Sequence, residues 1–532
     1  MWFLYDSVGA ISVAAVCAAF AWLFGGTIPS ALTPTIPWLF AIMLEMVLCF
    51  PQRHAGESTY EARARVWRKM KRDPLTWVVL GFIVMMLVPF INKGMCPSCD
   101  YPAVKFDGVP ESPPVPFIPF CVNRAEHLAV VMWFVPALMA MLAVRHSLLR
   151  RGKRIVIELI VWNGFALAIV GMVQSVMGAQ GPLWCDFGQA KAYFFSTFGY
   201  PNMAGDYFTT LFGLSLALWR RKVDVANRES SGRGGDPSSK ANHKVFWNRH
   251  LMLVPAAVFF FSVMVTLSRG SIMLVVAMAM LGYMHALTCF LARQDKAKRV
   301  KTAAVNLVSL VLIATLFFVF MSDKVRAQIA QAKTRDLVDG AAEQAPQRLY
   351  ADDLEREMKS VDIYGILDRM SGQGQYHARV ATAVWKSFPL FGCGGWGYKH
   401  FSVVKMTDEE YAKIQSVGGA NVHNDYLQFL AEHGAVGLAL LVVMVVMLLW
   451  PIGRVWRAIV NSVRFLKPKE QPPRPIALFA LPAPVFCILM TMVATLLHAL
   501  ADCPLRSPAV LSLFFVSLAS IEGFLPKIKE NR

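Results

Sequence analysis

The sequence predicts an all-α, polytopic membrane protein, and three observations carry that prediction. The 532-residue chain is 56% hydrophobic and only 17% charged, whereas soluble domains carry about 25% charged residues. Its mean hydropathy is +0.45. Apolar runs close to the ~20 residues that a bilayer demands recur along it, separated by basic clusters.

About twelve transmembrane helices are expected from these runs: 7–24, 36–50, 75–91, 127–144, 155–177, 204–219, 251–267, 270–291, 303–321, 425–450, 476–499 and 508–525. The second is short for a crossing. No Lys or Arg precedes the first, so it reads as a retained span and not a cleaved signal. After the second span come Arg53, Arg63, Arg65, Arg68, Lys69, Lys71 and Arg72; after the fourth come Arg145, Arg150, Arg151, Lys153 and Arg154. Loops 220–250, 292–301 and 451–475 and the tail after Pro526 are also basic. The positive-inside rule places these loops and both termini in the cytoplasm. It leaves 92–126, 178–203, 268–270, 322–424 and 500–507 outside. The net charge of +18 is juxtamembrane, so it suits anionic lipid and not nucleic acid.

Three regions follow: 1–321 with spans 1–9, a loop domain over 322–424, and 425–532 with spans 10–12. A loop of that length between spans is usually functional. Within it, 323–360 has surface-helix spacing, and 375–388 reads as an amphipathic helix stopped by Pro389. The run Gly392-Cys-Gly-Gly-Trp-Gly397 suits close backbone approach to a ligand. Residues 108–119, rich in proline, read as extended, and 227–242 as a flexible cytoplasmic loop. Cys96, Cys99, Cys121, Cys185, Cys393 and Cys503 fall outside. Cys96-Pro-Ser-Cys99 fits zinc, redox exchange or a disulfide. On the oxidising side disulfides are favoured, with connectivity open.

The chemistry concentrates in Val422–Gly437. Asp425, Gln428 and Glu432 recur at i, i+3 and i+7, one helical face, at the entry to an apolar span. One acid at mid-membrane costs roughly 2.5 to 3.5 kcal/mol, so the stripe is expected to line a protein-enclosed site and not to face lipid. His423 precedes it, where a helix N-terminus disfavours imidazolium and keeps a neutral base; the alternative is a merely hydrogen-bonded terminal residue. Arg269, in Thr266-Leu-Ser-Arg-Gly-Ser271, either grips a lipid-linked phosphate through its guanidinium fork or snorkels. Arg379 offers the same grip or a solvated face. Asn202 either caps a helix or meets a ligand, and Gln174 is similarly open. His498, Asp502 and Arg506 flank the last external turn, to line a cavity or pair with one another. The glycine run follows no βαβ pattern, so it is no dinucleotide fingerprint. No Walker or zinc-peptidase motif occurs, and neither cofactor nor metal is implied.

Several blocks together resemble the O-antigen ligase superfamily: Gly199-Tyr-Pro-Asn-Met-Ala204, Leu267-Ser-Arg-Gly270, Arg379 with Trp385 and Pro389-Leu-Phe-Gly392, His423-Asn-Asp-Tyr-Leu427 through Glu432-His-Gly-Ala-Val-Gly437, and His498 to Leu505. The resemblance spans roughly 155–525. It implies a GT-C-like membrane glycosyltransferase with a large, mainly helical periplasmic loop between spans 9 and 10. Such an enzyme sits in the bacterial inner membrane with its active site facing the periplasm. It moves a glycan from undecaprenyl diphosphate to a hydroxyl acceptor, a sugar of the lipid A core for the ligases, with inversion and without a metal ion. By that resemblance His423 is the base, and Arg269 and Arg379 hold the diphosphate. Asn202, Gln174, Asn424, Asp425 and Arg506 are candidates to line the site. Segments 92–121 and 222–249 depart from the family pattern. An O-antigen or exopolysaccharide polymerase and a protein O-oligosaccharyltransferase share fold and donor. The chain's end just after span 12 speaks against the latter. A transporter would show an inverted repeat, and none is found.

Overall fold

The computed structural model describes residues 7–26, 35–92, 115, 117–185, 194–232, 249–291, 378–405, 421–464 and 481–525. Regular structure among them is helical, apart from an isolated bridge between Phe195 and Phe198. The chain divides into two compact units, Met1–Gly282 with Tyr376–Arg532, and Tyr283–Gln375. The first holds the site described below; the described part of the second is residues 283–291.

The helices are α1 (Val8–Trp22), α2 (Ile36–Cys49), α3 (Thr59–Arg72), α4 (Pro74–Leu87), α5 (Arg124–His146), α6 (Arg150–Val176), α7 (Pro201–Gly232), α8 (Leu253–Thr266), α9 (Arg269–Leu291), α10 (378–387), α11 (Gly397–Lys405), α12 (Asp425–Arg464), α13 (Ala483–His498) and α14 (Pro508–Ser520). By length and composition α5, α6, α9 and α12 can each cross a membrane. The pair α3 and α4, bent by 73°, adds a fifth if it counts as one span. The apolar helices α1, α2, α8, α13 and α14 are shorter. At 14 residues and 1.5 Å per residue, α2 covers about 21 Å of a ~30 Å core. α7 is long, but its first half carries Asn202, Asp206, Thr209, Thr210 and Ser215. Among the described residues, four or five candidate spans are therefore found, where about twelve were expected. Span 303–321 and most of the 322–424 loop lie outside the described residues.

Local chemistry accounts for the breaks. Ser58 and Glu61 form a reciprocal capping box that starts α3, and Lys69, Lys71 and Arg72 suit its C-terminal dipole. Asp73 then accepts from Leu75 N, and Pro74 opens α4. Asn123 caps α5 by accepting from Ala125 N and Glu126 N. The C-terminal α14 is the axis of the unit: all of its residues are buried, and α1, α5, α6, α7, α12 and α13 pack on it. A helix apolar on every face has to be enclosed in this way. α7 lies between α8 and α13, and α12 lies on α4.

Two expectations are corrected here. Residues 227–232 are the end of α7 and not a flexible loop, because a helix already anchored by packing extends at the low cost of propagation. Disulfides were favoured for the external cysteines, yet Cys121, Cys185, Cys393 and Cys503 are free thiols. Three of them are buried and behave as small apolar side chains: Cys393 packs with Val380, Val384 and Tyr398, and Cys121 Sγ faces Pro89 O at 3.5 Å. Cys96 and Cys99 lie outside the described residues.

Candidate active site

The site forms where three helix termini meet: the start of α12, the start of α7 and the turn between α13 and α14. Asn424 caps α12, its Oδ1 accepting from Leu427 N at 3.0 Å while its Nδ2 donates to Leu500 O. His423 precedes the cap in a left-handed conformation, φ 52°, which non-glycine residues adopt rarely and often at functional sites. Its Nδ1 lies 3.2 Å from Asp502 Oδ1, and 37% of its side chain is exposed. The rest of the ring is thus open while one nitrogen is held.

Asp502 is the hub. Its carboxylate also accepts from Tyr200 Oη at 3.1 and 3.2 Å, from Asn202 Nδ2 and from Cys503 N at 2.8 Å. Burial acts to raise its pKa, but the His423 hydrogen bond and charge overcome this and hold the carboxyl below its ordinary value. In return the hydrogen bond that His423 donates to Asp502 raises His423 above its ordinary value, against the effect of burial. The dipole argument for a neutral imidazole therefore fails: His423 stands two residues outside the helix, and Asn424 already answers its N-terminus. Burial and the Asp502 charge push the Tyr200 phenol up, so it remains a donor. His423, Asp502 and Cys503 bring ligand atoms within 4.8 Å of one another, the geometry a metal needs. Four donors already occupy the two Asp502 oxygens, so the donor set fits a hydrogen-bonded pair better than a ligand cage.

The polar stripe behind His423 is consumed by structure. Asp425, Gln428 and Glu432 are all buried. Asp425 Oδ2 accepts from Leu505 N at 2.8 Å, Gln428 Oε1 from Val422 N at 3.0 Å, and Glu432 Oε2 from Arg506 Nη2. The Arg506 guanidinium also stacks over Trp396 at 4.6 Å. The stripe thus fixes both the His423 segment and the Asp502 turn. A cavity of about 90 Å³ lies beside it, lined by Trp133, Phe134, Phe429 and Phe515 among others. That is well below the roughly 300 Å³ of a small-ligand pocket, so no sugar is accommodated there.

The glycine turn serves the same end. α12 breaks at Gly434, φ 66°, where a Cβ would stand 2.2 Å from Leu390 O. At Gly392, φ 69°, a Cβ would stand 2.3 Å from the Glu432 carbonyl carbon. Backbone donors and acceptors of 389–394 pair with 431–436 through this contact: Cys393 N to Ala431 O, Gly394 N to Glu432 O and Ala435 N to Pro389 O. The close approach expected of the glycine run is to a helix and not to a ligand.

The expected residues distribute unevenly. Arg269 is exposed at the first position of α9; a Cβ on the next residue, Gly270, would lie 3.0 Å from His498 Nε2. Arg379, exposed on α10, donates to Lys405 O at 3.3 Å, and its neighbour Val380 shares an apolar cluster with Val422. Arg269 therefore adjoins a residue packed on His498, and Arg379 a residue that clusters with Val422, the neighbour of His423. Asn202 joins the centre as a donor to Asp502 and not as a cap. Gln174 does not join it, since its amide bridges Leu183 N at 2.7 Å and Ser196 O at 3.1 Å. His498, Asp502 and Arg506 do not pair with one another: they take Asp206, His423 and Glu432. Sequence reasoning underrated Asp502 and passed over Tyr200, though Tyr200-Pro-Asn202 and the turn after His498 were both noted.

Residues 254–442 match the family model for O-antigen ligase. This stretch is similar to the O-antigen ligase family. It covers roughly a third of the chain and contains Arg269, Arg379, His423, Asn424 and Asp425. Asp502 and Arg506, which meet it in the structure, and Tyr200 and Asn202, which donate to Asp502, lie outside the matched stretch. No curated protein matches the chain. The family points to a ligase- or polymerase-like glycosyltransferase, a membrane enzyme handling a lipid-linked glycan and an acceptor.

Proposed function

We propose that this protein transfers a glycan from undecaprenyl diphosphate to a hydroxyl of the lipid A core, on the periplasmic face of the bacterial inner membrane, with His423 as the general base. The observation that carries the reading is the His423–Asp502 pair at 3.2 Å beside a half-exposed imidazole. With Nδ1–H donated to Asp502, the neutral ring presents Nε2 as the proton acceptor. The acceptor oxygen attacks the anomeric carbon and its proton passes to Nε2. The bond from that carbon to the diphosphate oxygen breaks with inversion, and the polyprenyl diphosphate leaves with one added negative charge. Arg269 and Arg379 meet that charge. Preorganised donors count most where charge develops, and loss of one costs about 3 kcal/mol, roughly a hundredfold in rate.

His423→Ala is expected to abolish glycan transfer with expression and insertion unchanged; full-length glycan on lipid A in cells carrying only this variant would remove His423 as the base. Arg269→Lys is expected to fail as well, because a lysine cannot make the bidentate grip. Deleting the gene distinguishes the acceptors. A ligase loss leaves bare core and accumulated lipid-linked polymer. A polymerase loss leaves core bearing one repeat unit, and loss of a protein transferase leaves lipopolysaccharide intact.

A further inference from the structure

At the far end of α14 from His423 lies a second, chemically different cavity. The turn carrying Asp502 precedes α14, and Glu522 follows it in the 3-10 turn Ile521–Gly523. The sixteen residues from Pro508 to Gly523 separate the two by roughly 24 Å at 1.5 Å per residue. The cavity is about 450 Å³ and is lined by Arg65, Arg68, Lys69, Arg72, Asp73, Arg145, His146 and Glu522. Five permanent cations thus face two carboxylates.

The acids are already engaged. Asp73 takes Arg145 at 2.5 Å, with His146 3.6 Å away, and Glu522 takes Lys153 at 2.5 Å. Arg65 spends Nε on Glu57 and Nη2 on Gln52 O, while its buried Nη1 has no hydrogen-bond partner among the described residues. Arg68 and Arg72, exposed on α3, have no ion-pair partner among the described residues. Such a concentration of like charge is costly unless an anion occupies it.

The surroundings specify the kind of anion. α3 meets the apolar α4 at 73°, so the basic helix turns sharply away from the axis of the apolar one. Its Tyr60 is 81% exposed and its Trp67 57%, with Trp77 at 60% just inside α4. Exposed aromatics of this type mark headgroup depth, and a basic amphipathic helix there lies in the interface. We infer that this cavity binds the phosphodiester headgroup of an anionic phospholipid, on the membrane face opposite the His423 site. Arg68 and Arg72 bring the charge to the phosphate, Arg65 Nη1 and Arg145 form its inner wall, and Tyr60, Trp67 and Trp77 border the acyl chains. The inference does not depend on the proposed reaction.

The full-length protein in detergent, titrated with diphosphatidylglycerol, phosphatidylglycerol or phosphatidylethanolamine and read by native mass spectrometry, tests it. The wild type is expected to retain the two anionic lipids and not the zwitterionic one. Arg68→Gln with Arg72→Gln is expected to weaken retention about thirtyfold at an unchanged thermal midpoint, as two charges near an anionic headgroup should. Equal retention by the variant, or equal retention of phosphatidylethanolamine by the wild type, overturns the inference. Displacement of the lipid by low-millimolar inorganic phosphate also overturns it, by assigning the cavity to a soluble anion.

Discussion

At His423 two influences on the imidazole oppose each other. A helix N-terminus favours the neutral ring, and Asp502 Oδ1 at 3.2 Å favours the charged one. The ring follows Asp502, because the carboxylate is in contact while the helix end is already capped by Asn424. Under the proposed reaction Asp502 is a positioning residue: it would select the tautomer that leaves Nε2 free and strengthen the base. Asp502→Asn is expected to lower the rate of glycan transfer by up to about 10⁴, the loss seen when a tautomer-fixing acid is removed elsewhere. The sign of the pH effect follows from His423 being raised above 6.5 by this partner. A base works unprotonated, so wild-type activity rises with pH through a limb above 6.5, and in Asp502→Asn that limb moves to lower pH. A pH–rate profile in which both limbs coincide would show that Asp502 does not tune His423. His423 itself was legible from its place before a polar-striped span. Its partner was not, because the 79 positions between them carry no spacing that signals contact.

α12 shows how an element can be read correctly and its purpose misjudged. The i, i+3, i+7 stripe of Asp425, Gln428 and Glu432 is enclosed by protein, as the membrane cost of its acids demands. In the structure it holds Leu505 N, Val422 N and Arg506. Arg506→Ala is expected to destabilise by roughly 3 to 5 kcal/mol, since Glu432 is left charged and buried. Arg506→Leu combined with Glu432→Leu is expected to recover most of that loss. Thermal unfolding of the single and double variants decides it, and a double variant worse than Arg506→Ala would exclude a mutual ion pair. Gly434→Ala adds a Cβ 2.2 Å from Leu390 O at φ 66°. A loss of about 3 kcal/mol or more is expected in the same assay, while Gly453→Ala, with open space around it, should be neutral. The glycine run announced a close approach, but which surface would approach required the docking of 389–394 on α12.

For the whole molecule, the arrangement of charge gives it two unlike ends. The His423–Asp502 centre sits at one end of α14 and the Arg68–Arg72–Arg145 cavity at the other. With the other cysteines replaced, Ala55→Cys, exposed beside α3, is expected to react with an impermeant thiol reagent only after the inner membrane is opened. Gln180→Cys, exposed after α6, should react without it. The reverse pattern would invert the topology. By itself the sequence determined the helical class, the basic face and the histidine, arginine and polar-stripe candidates, because burial cost, helix periodicity and charge asymmetry act along the chain. Only the tertiary structure decided that Asp502, Tyr200 and Asn202 converge on His423, that Gln174 serves a loop instead, and that Cys121, Cys185, Cys393 and Cys503 remain free thiols. Those outcomes depend on which helix ends meet around α14, and side-chain contacts across 79 or 302 positions are set by packing, which no local pattern records.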